Sequence, residues 1–447
     1  DGLVWNPGEY VEGYPNLLMT LVRSVPMLFF SKSGSLLVVQ LLGIGLVLYS
    51  ATMASLIAGE LLKNEAHPKA TLIRLLSFIL ALAYYPTVYW PLMGMETGLL
   101  TALLLTSIWL SLRYCNQPRF SYLLWVGLLM GLAYLARPDS TLYAALIFGF
   151  VLLQGWSAGR LQSVFVQLFI AGLIIVAFIA AQMAFRYHYY GELTPNTYTL
   201  KLTGWPLLTR IENGYYFIER FVERTALICL LVVVDLVFNF RRAKLYLFTF
   251  FLLTLAYQVF NGGDPWIYWR LFAPIMPLLF LLLIFATLNI AEAIALRNSR
   301  IKPCDRGTYR GKTGVALSLL LVAFLWADSR FLPKIFFTEP QYQIDENQEK
   351  VNIALALNDV LTADARIGVT WAGSIPFYTG RYGVDFLGKM DKYIANLAPD
   401  ISGAVAWKGM FSVPGHNKYD LEHSILKLKP DWVQKLWVGQ DDLKHLE

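Results

Sequence analysis

The 447-residue chain is 56% hydrophobic and 15% aromatic, carries a net charge of +6 and has a mean hydropathy of +0.49. Only 15% of its residues are charged, against roughly 25% in soluble domains, which excludes an ordinary water-soluble enzyme and points to a bilayer. The basic balance does not signify nucleic acid, because the lysines and arginines fall in short loops between apolar runs and act as orientation signals.

The chain opens on a polar, turn-rich stretch, Asp1 to Asn16, with Glu9 and Glu12 and no lysine or arginine. Asp1 is not a natural start, so a preceding segment with one more span is expected. Leu17 to Phe30 is apolar but interrupted by Arg23 and Pro26, which suits an interfacial or re-entrant helix. Ten spans are then expected: Leu36–Leu62, Leu72–Val88, Leu99–Leu112, Tyr122–Ala136, Thr141–Trp156, Val164–Phe185, Ala226–Phe240, Leu245–Phe260, Leu271–Leu296 and Val315–Trp326. Arg186 to Thr225 reads as a long loop. His67 lies in one short loop, and Arg300 and Lys302 in another.

The loops alternate in charge, about 14 Lys/Arg in one set against about 7 in the other. The basic set is expected to be cytoplasmic. The opening loop, the Arg186 loop and the C-terminal residues then share the outer face. The division expected is 1–327, a membrane domain, and 328–447, a small α/β extracytoplasmic domain. In the latter, Arg366 to Trp371 alternates like a strand, and Asn347 to Leu361 reads as an amphipathic helix. The fold class is therefore mostly α, a polytopic helix bundle with a small C-terminal α/β domain. Cys115, Cys229 and Cys304 are few and far apart, which implies no disulfide framework.

No GxxxxGK[ST] motif is present, and chemistry is expected in the outer loops, where an activated substrate arrives attached to lipid. Glu96, at the mouth of a span, faces a cavity or partner, or is a helix-start acid favoured by the dipole. Arg137 and Asp139 flank a proline, either as a local ion pair or with the guanidinium aimed at a lipid phosphate. Asn196 and Lys201 fit sugar and phosphate binding better than a membrane-belt role. In NGGDPWIYWR, Asp264 and Arg270 stand six residues apart beside Trp266 and Trp269; a structural turn with an Asp cap also accounts for this. His188 has no ligand neighbours at metal spacing. GVDFLGKMDKYIA and PGHNKYD could bind a glycan acceptor or simply form the α/β fold.

Six segments occur in a fixed order: GLVWNPGEYVEGYPN, MGMET, LARPDS, YYGELTPNTYTLK, GGDPWIYWR and VDFLGKMD. Together they resemble bacterial integral-membrane glycosyltransferases of the GT-C type, particularly the terminal β-arabinofuranosyltransferase group. The resemblance covers nearly the whole chain. It implies transfer of a sugar from a polyprenyl-phosphate donor to an extracytoplasmic glycan or lipid acceptor, in the bacterial cytoplasmic membrane. Its expected catalytic aspartate lies in an acidic motif upstream of Asp1, so the catalytic residue is unknown in this sequence. Glu96 and Asp264 are the assisting carboxylates by inference, and Arg137, Lys201 and Arg270 the phosphate ligands. Glu9, Glu12, Tyr14, Asn16, Asp139, Asn196, Trp266 and Trp269 are the substrate-binding candidates. No cofactor is required; the acids leave a divalent metal open, although no spacing demands one. A membrane transporter or lipid flippase is the alternative, for which no internal repeat was found.

Overall fold

The computed structural model describes residues 2–63, 69–266, 268–298, 306–401 and 414–436. Asp1, His67, Arg300, Lys302 and Cys304 lie outside the described residues. The helices in chain order are α1 Leu17–Met27, α2 Lys32–Leu61, α3 Ala70–Ala83, α4 Tyr85–Leu92, α5 Thr97–Asn116, α6 Phe120–Ala136, α7 Thr141–Ser157, α8 Leu161–Tyr190 and α9 Asn196–Leu202. They continue as α10 Leu207–Phe238, α11 Arg242–Asn261, α12 Met276–Asn298, α13 Arg306–Asp328, α14 Leu332–Ile335, α15 Ile344–Val360, α16 Ser374–Thr379 and α17 Lys392–Ala395. The strands are β1 Arg366–Val369, β2 Tyr382–Asp385 and β3 Trp432–Val433.

The chain is a polytopic helical bundle with a small α/β unit. Among the described residues seven helices are long and apolar enough to cross a membrane, or eight if the bent pair α3–α4 is one span. The ten expected crossings differ from this for physical reasons. The pair α3–α4 bends by 54° just before Pro86, which has no N–H to continue the helix. Helix α6 is apolar but only 17 residues long. The expected span from Ala226 is the second half of the 32-residue α10.

The segment read as a long loop from Arg186 is therefore largely helical. Buried Gly214, Phe217, Phe221, Thr225, Ile228 and Val232 recur every three or four residues along α10, a stripe that packs inward while Glu219, Arg220, Glu223 and Arg224 occupy the other face. Helix α12 is the centre of the bundle: it is apolar on every side, and 89% of its most apolar window is buried against neighbours. Helix α8 is peripheral, with only 22% buried. It meets α6 where a Cβ on Gly127 would stand 2.6 Å from the Ala171 carbonyl oxygen, the kind of close helix approach that small residues permit in membranes.

The sheet is parallel, ordered β2-β1-β3, with α16 connecting β1 to β2. Ala354, Leu357, Ile367, Val369 and Ile375 form its core, and Trp5 of the opening loop packs against it. Asn6 closes the free edge of β2: its side-chain amide donates to the Gly383 carbonyl at 2.9 Å and accepts from the Gly383 N–H at 2.9 Å. An edge strand left bare would present unpaired backbone groups. The opening loop is thus bonded to the far end of the sequence.

Candidate functional site

The helices place six of the singled-out side chains in one network. Asn16 precedes α1, Glu96 precedes α5, Arg137 follows α6, and Asp264 follows α11, whose end is capped by Gly262 at φ +85°. Glu96 is 3% exposed and Asp264 2%, so each carboxylate needs partners. Glu96 accepts from Arg137 Nη1 at 2.9 Å and from Asn16 Nδ2 at 3.1 Å, with Arg270 Nη1 at 3.9 Å. Arg137 turns its other edge to Asp139, at 3.0 and 2.6 Å. Arg270 closes on Asp264 through two bonds of 3.0 Å. Both guanidiniums are therefore engaged in fork-like pairs with carboxylates. Burial by itself raises the Glu96 carboxyl, but Arg270 and Arg137 outweigh it and hold it at about 2. Glu96 stays ionised and orients the two arginines.

The loop leading to Arg270 is strained. Tyr268 and Trp269 both have positive φ, 69° and 47°, a conformation costing about 1–3 kcal/mol per residue. It is held because Trp90 Nε1 donates to the Tyr268 carbonyl at 3.1 Å and Trp269 packs against Phe221 and Phe331. Trp269 is thus a packing residue in this arrangement.

Beside the network lies a cavity of about 230 Å³ between α9, the turn at Pro265 and Trp266, and the α/β unit. Lys201, Trp266, Asp385, Lys389 and His416 line it. Burial lowers the Lys201 ammonium to about 8; Asp264 opposes this, and Arg270, Lys389 and Arg137 add to it. Burial, with Lys201 and Lys389, pushes His416 down to about 3, so its imidazole is neutral near pH 7. Burial also raises Asp385 to about 6, against hydrogen bonds from the Met390 and Leu387 N–H groups.

The remaining candidates hold the opening loop and α9 in place. Glu9 accepts from the Tyr382 hydroxyl and from Asn6 at 2.8 Å. Glu12 forms a buried two-bond pair with Arg186, one bond being 3.1 Å. Tyr14 and Tyr190 share a hydroxyl contact of 2.6 Å. Asn196 donates to the carbonyls of Gly388 and Lys389 at 2.9 and 3.0 Å. Lys418, fully buried, donates to the carbonyls of Thr203 and Ala395 at 2.8 and 2.7 Å. It neutralises the carbonyl end of α9.

Sequence reasoning missed three charged features. Arg23 of α1 feels Glu96, which opposes the lowering that burial imposes on it; its interruption of an apolar run was the signal. Lys389 sat in the VDFLGKMD segment with nothing local to distinguish it. Asp235 and Lys244 form a buried 2.6 Å pair where α10 turns into α11. Among the described residues no group of three or more His, Cys, Asp or Glu side chains is arranged to hold a metal ion.

Residues 337–440 match a family described as a domain of unknown function, DUF8728. No curated protein matches the chain. Among solved structures, the archaeal oligosaccharyltransferase AglB from Archaeoglobus fulgidus, in complex with an inhibitory peptide and a dolichol-phosphate, is similar over 86% of this chain. The identity is 10% and the TM-score 0.44, and the similarity spans 58% of that structure's length. A similarity at that level fixes neither a fold family nor a chemistry.

Proposed function

We propose that the chain transfers a sugar from a polyprenyl-phosphate donor to a glycan or lipid acceptor, as a GT-C type glycosyltransferase. The sugar proposed first is arabinofuranosyl, the branch whose ordered motifs the sequence resembles. The active face is assigned to the outer side of a bacterial cytoplasmic membrane, on the imbalance of about 14 to about 7 Lys/Arg between the loop sets. Residues 1–327 are read as the transferase domain and 328–447 as the extracytoplasmic domain above it.

The observation that carries this reading is the convergence of Glu96, Arg137, Asp264 and Arg270 at the ends of separate helices, beside a cavity that Lys201 and Trp266 line. Buried charge of this kind is costly and marks a working site in a membrane bundle. In the proposed reaction the acceptor oxygen forms a bond to the anomeric carbon as the bond from that carbon to the phosphate oxygen breaks. The electron pair leaves with the phosphate, and a carboxylate takes the acceptor's hydroxyl proton. Lys201, with the Arg270 and Arg137 guanidiniums behind it, offsets the charge that grows on the leaving phosphate. Glu96 and Asp264 assist by fixing those guanidiniums. Trp266 offers a ring to a sugar face; Asn16 and Asp139 hold Glu96 and Arg137, and Asn196 holds the turn that carries Lys389.

The test is transfer of radiolabelled sugar from synthetic polyprenyl-phosphate donors to a panel of glycan and lipid acceptors by the purified full-length protein. Labelled product, lost in Arg270→Ala, is the expected result. No transfer from any donor, with movement of lipid or solute across vesicles instead, would overturn the enzyme reading in favour of a transporter.

A further inference from the structure

We propose that the 230 Å³ cavity is a phosphate-binding seat completed by Lys389, so that the α/β unit supplies part of the anion site and does not merely cover it. The proposal rests on the transfer reading only for why a phosphate arrives; the seat itself stands on the geometry.

The cations around the cavity are not equivalent. Arg137 and Arg270 are bonded to carboxylates. Lys350 is taken by Glu346 at 3.3 Å and lies 5.7 Å from the Trp371 ring centre. Lys201 and Lys389, from α9 and from the turn after β2, both line the cavity and have no side-chain ion pair or hydrogen bond among the described residues. His416 lines the same space; its Nδ1 is buried with no contact of hydrogen-bonding geometry among the described residues, and the Pro414 carbonyl acts on the ring against the lowering that burial imposes. The carboxylate on this wall, Asp385, already accepts from the main-chain N–H groups of Leu387 and Met390 at 3.1 and 2.7 Å. The cavity therefore holds two ammonium groups with no hydrogen-bonded counter-ion, offset only through space by Asp264, Asp385 and Glu96, and a buried imidazole nitrogen that, in its N–H tautomer, an anion would satisfy.

Both lysines are set in advance. Asn196 bonds the carbonyls of Gly388 and Lys389 while Asp385 bonds the turn from the other side, which fixes the Lys389 backbone. The Lys201 stem lies against Gly415, where an added Cβ would come within 3.2 Å of two of its carbons. Gly415 also has φ +92°, so the position favours glycine twice over. Preset donors lose less entropy on binding. The volume is below the roughly 300–1,000 Å³ of a pocket for a drug-sized ligand, which fits a headgroup-sized anion. Two ammonium groups with several rotatable N–H donors each suit the several oxygens of a phosphate better than the flat pair of a carboxylate, and lysine is a common phosphate ligand.

The experiment is calorimetric titration of the full-length protein in a neutral detergent with dodecyl phosphate, with inorganic phosphate and with dodecanol. Dodecyl phosphate is expected to bind and dodecanol not. Lys201→Ala and Lys389→Ala should each weaken binding about 10- to 100-fold, the scale of one charge-assisted hydrogen bond, while Lys389→Arg retains most of it. Exposed Lys427→Ala is the control. Inorganic phosphate binding with the same lysine dependence would support the seat with a free phosphate as its ligand; binding of the alkyl phosphate alone would support it with a lipid headgroup. An unchanged thermal midpoint in Lys389→Gln excludes misfolding as the cause of weakened binding. Absence of anion binding, or wild-type affinity in Lys389→Ala, overturns the proposal. Phosphate binding without sugar transfer from any donor would keep the seat and remove the transferase reading; transfer with Lys389-independent binding would do the reverse.

Discussion

Glu96 and Arg137, 41 positions apart in sequence, meet through a 2.9 Å ion pair at the mouth of the bundle, and the same Glu96 oxygen stands 3.9 Å from Arg270. One carboxylate thus lies between the buried Arg270 guanidinium and the part-buried Arg137 guanidinium. Each keeps its own partner in Asp264 or Asp139, so Glu96→Ala should cost about 1–3 kcal/mol, the scale of a lost charge-assisted hydrogen bond. Thermal unfolding in detergent would read this as a lowered midpoint; an unchanged midpoint would mean the pair is not stabilising.

The pH dependence of that contribution has a definite sign. Glu96 is held at about 2 in the fold against 4.5 for a free glutamate. A depressed acid stabilises the fold fully above its unfolded value and loses that contribution as pH falls through the folded one. The difference in unfolding free energy between the wild type and Glu96→Gln should be flat above about pH 5 and should shrink between roughly pH 4.5 and pH 2.

Lys201 behaves in the opposite sense. Its ammonium titrates at about 8 against 10.5 when free, so raising the pH through 8 removes a positive charge from the cavity. Lys389 is lowered in the same direction by burial, while His416, lowered to about 3, and Asp385, raised to about 6, complete their titration below that range. Dodecyl phosphate affinity should therefore fall above about pH 8, and Lys201→Arg should remove the part of the loss that Lys201 causes, because guanidinium stays protonated. The unliganded fold should gain stability from Lys201 over the same rise, since the cost of burying its charge is relieved.

Asn196→Ala frees the turn that carries Lys389. Loss of its two carbonyl contacts should cost about 1–3 kcal/mol locally. Hydrogen exchange of the amides at 387–391 should speed up, and anion binding should weaken less than in Lys389→Ala. Unaltered exchange would show that Asp385 alone holds the turn.

The bundle was readable because its information is local: α5, α7 and α11 are apolar runs bounded by basic loops or glycine turns. The charged first half of α10 was not, since Glu219, Arg220, Glu223 and Arg224 interrupt the hydropathy while Phe217 and Phe221 continue the stripe beneath them. In the charged network, Glu96, Arg137, Asp264 and Arg270 stood out because charge is scarce in so apolar a chain. The Arg137–Asp139 and Asp264–Arg270 pairs are local in sequence; the contacts of Glu96 with Asn16, Arg137 and Arg270 were not legible, since they join separate helix ends. Glu12 and Tyr14 stood out for the same chemical reason, yet their partners are Arg186 and Tyr190, about 175 positions away. Lys389 lies in a polar segment where one more lysine is unremarked, and only the fold brings it to the cavity that Lys201 lines.

Asn6 and Gly383 are bonded across 377 positions, and this imposes an order in time. At roughly 5–20 residues per second of synthesis, residue 383 emerges about 20–75 s after residue 6. Throughout that interval the opening loop has no strand to close and β2 does not yet exist. The opening loop is therefore made well before the strand it closes and is placed only once β2 has followed it.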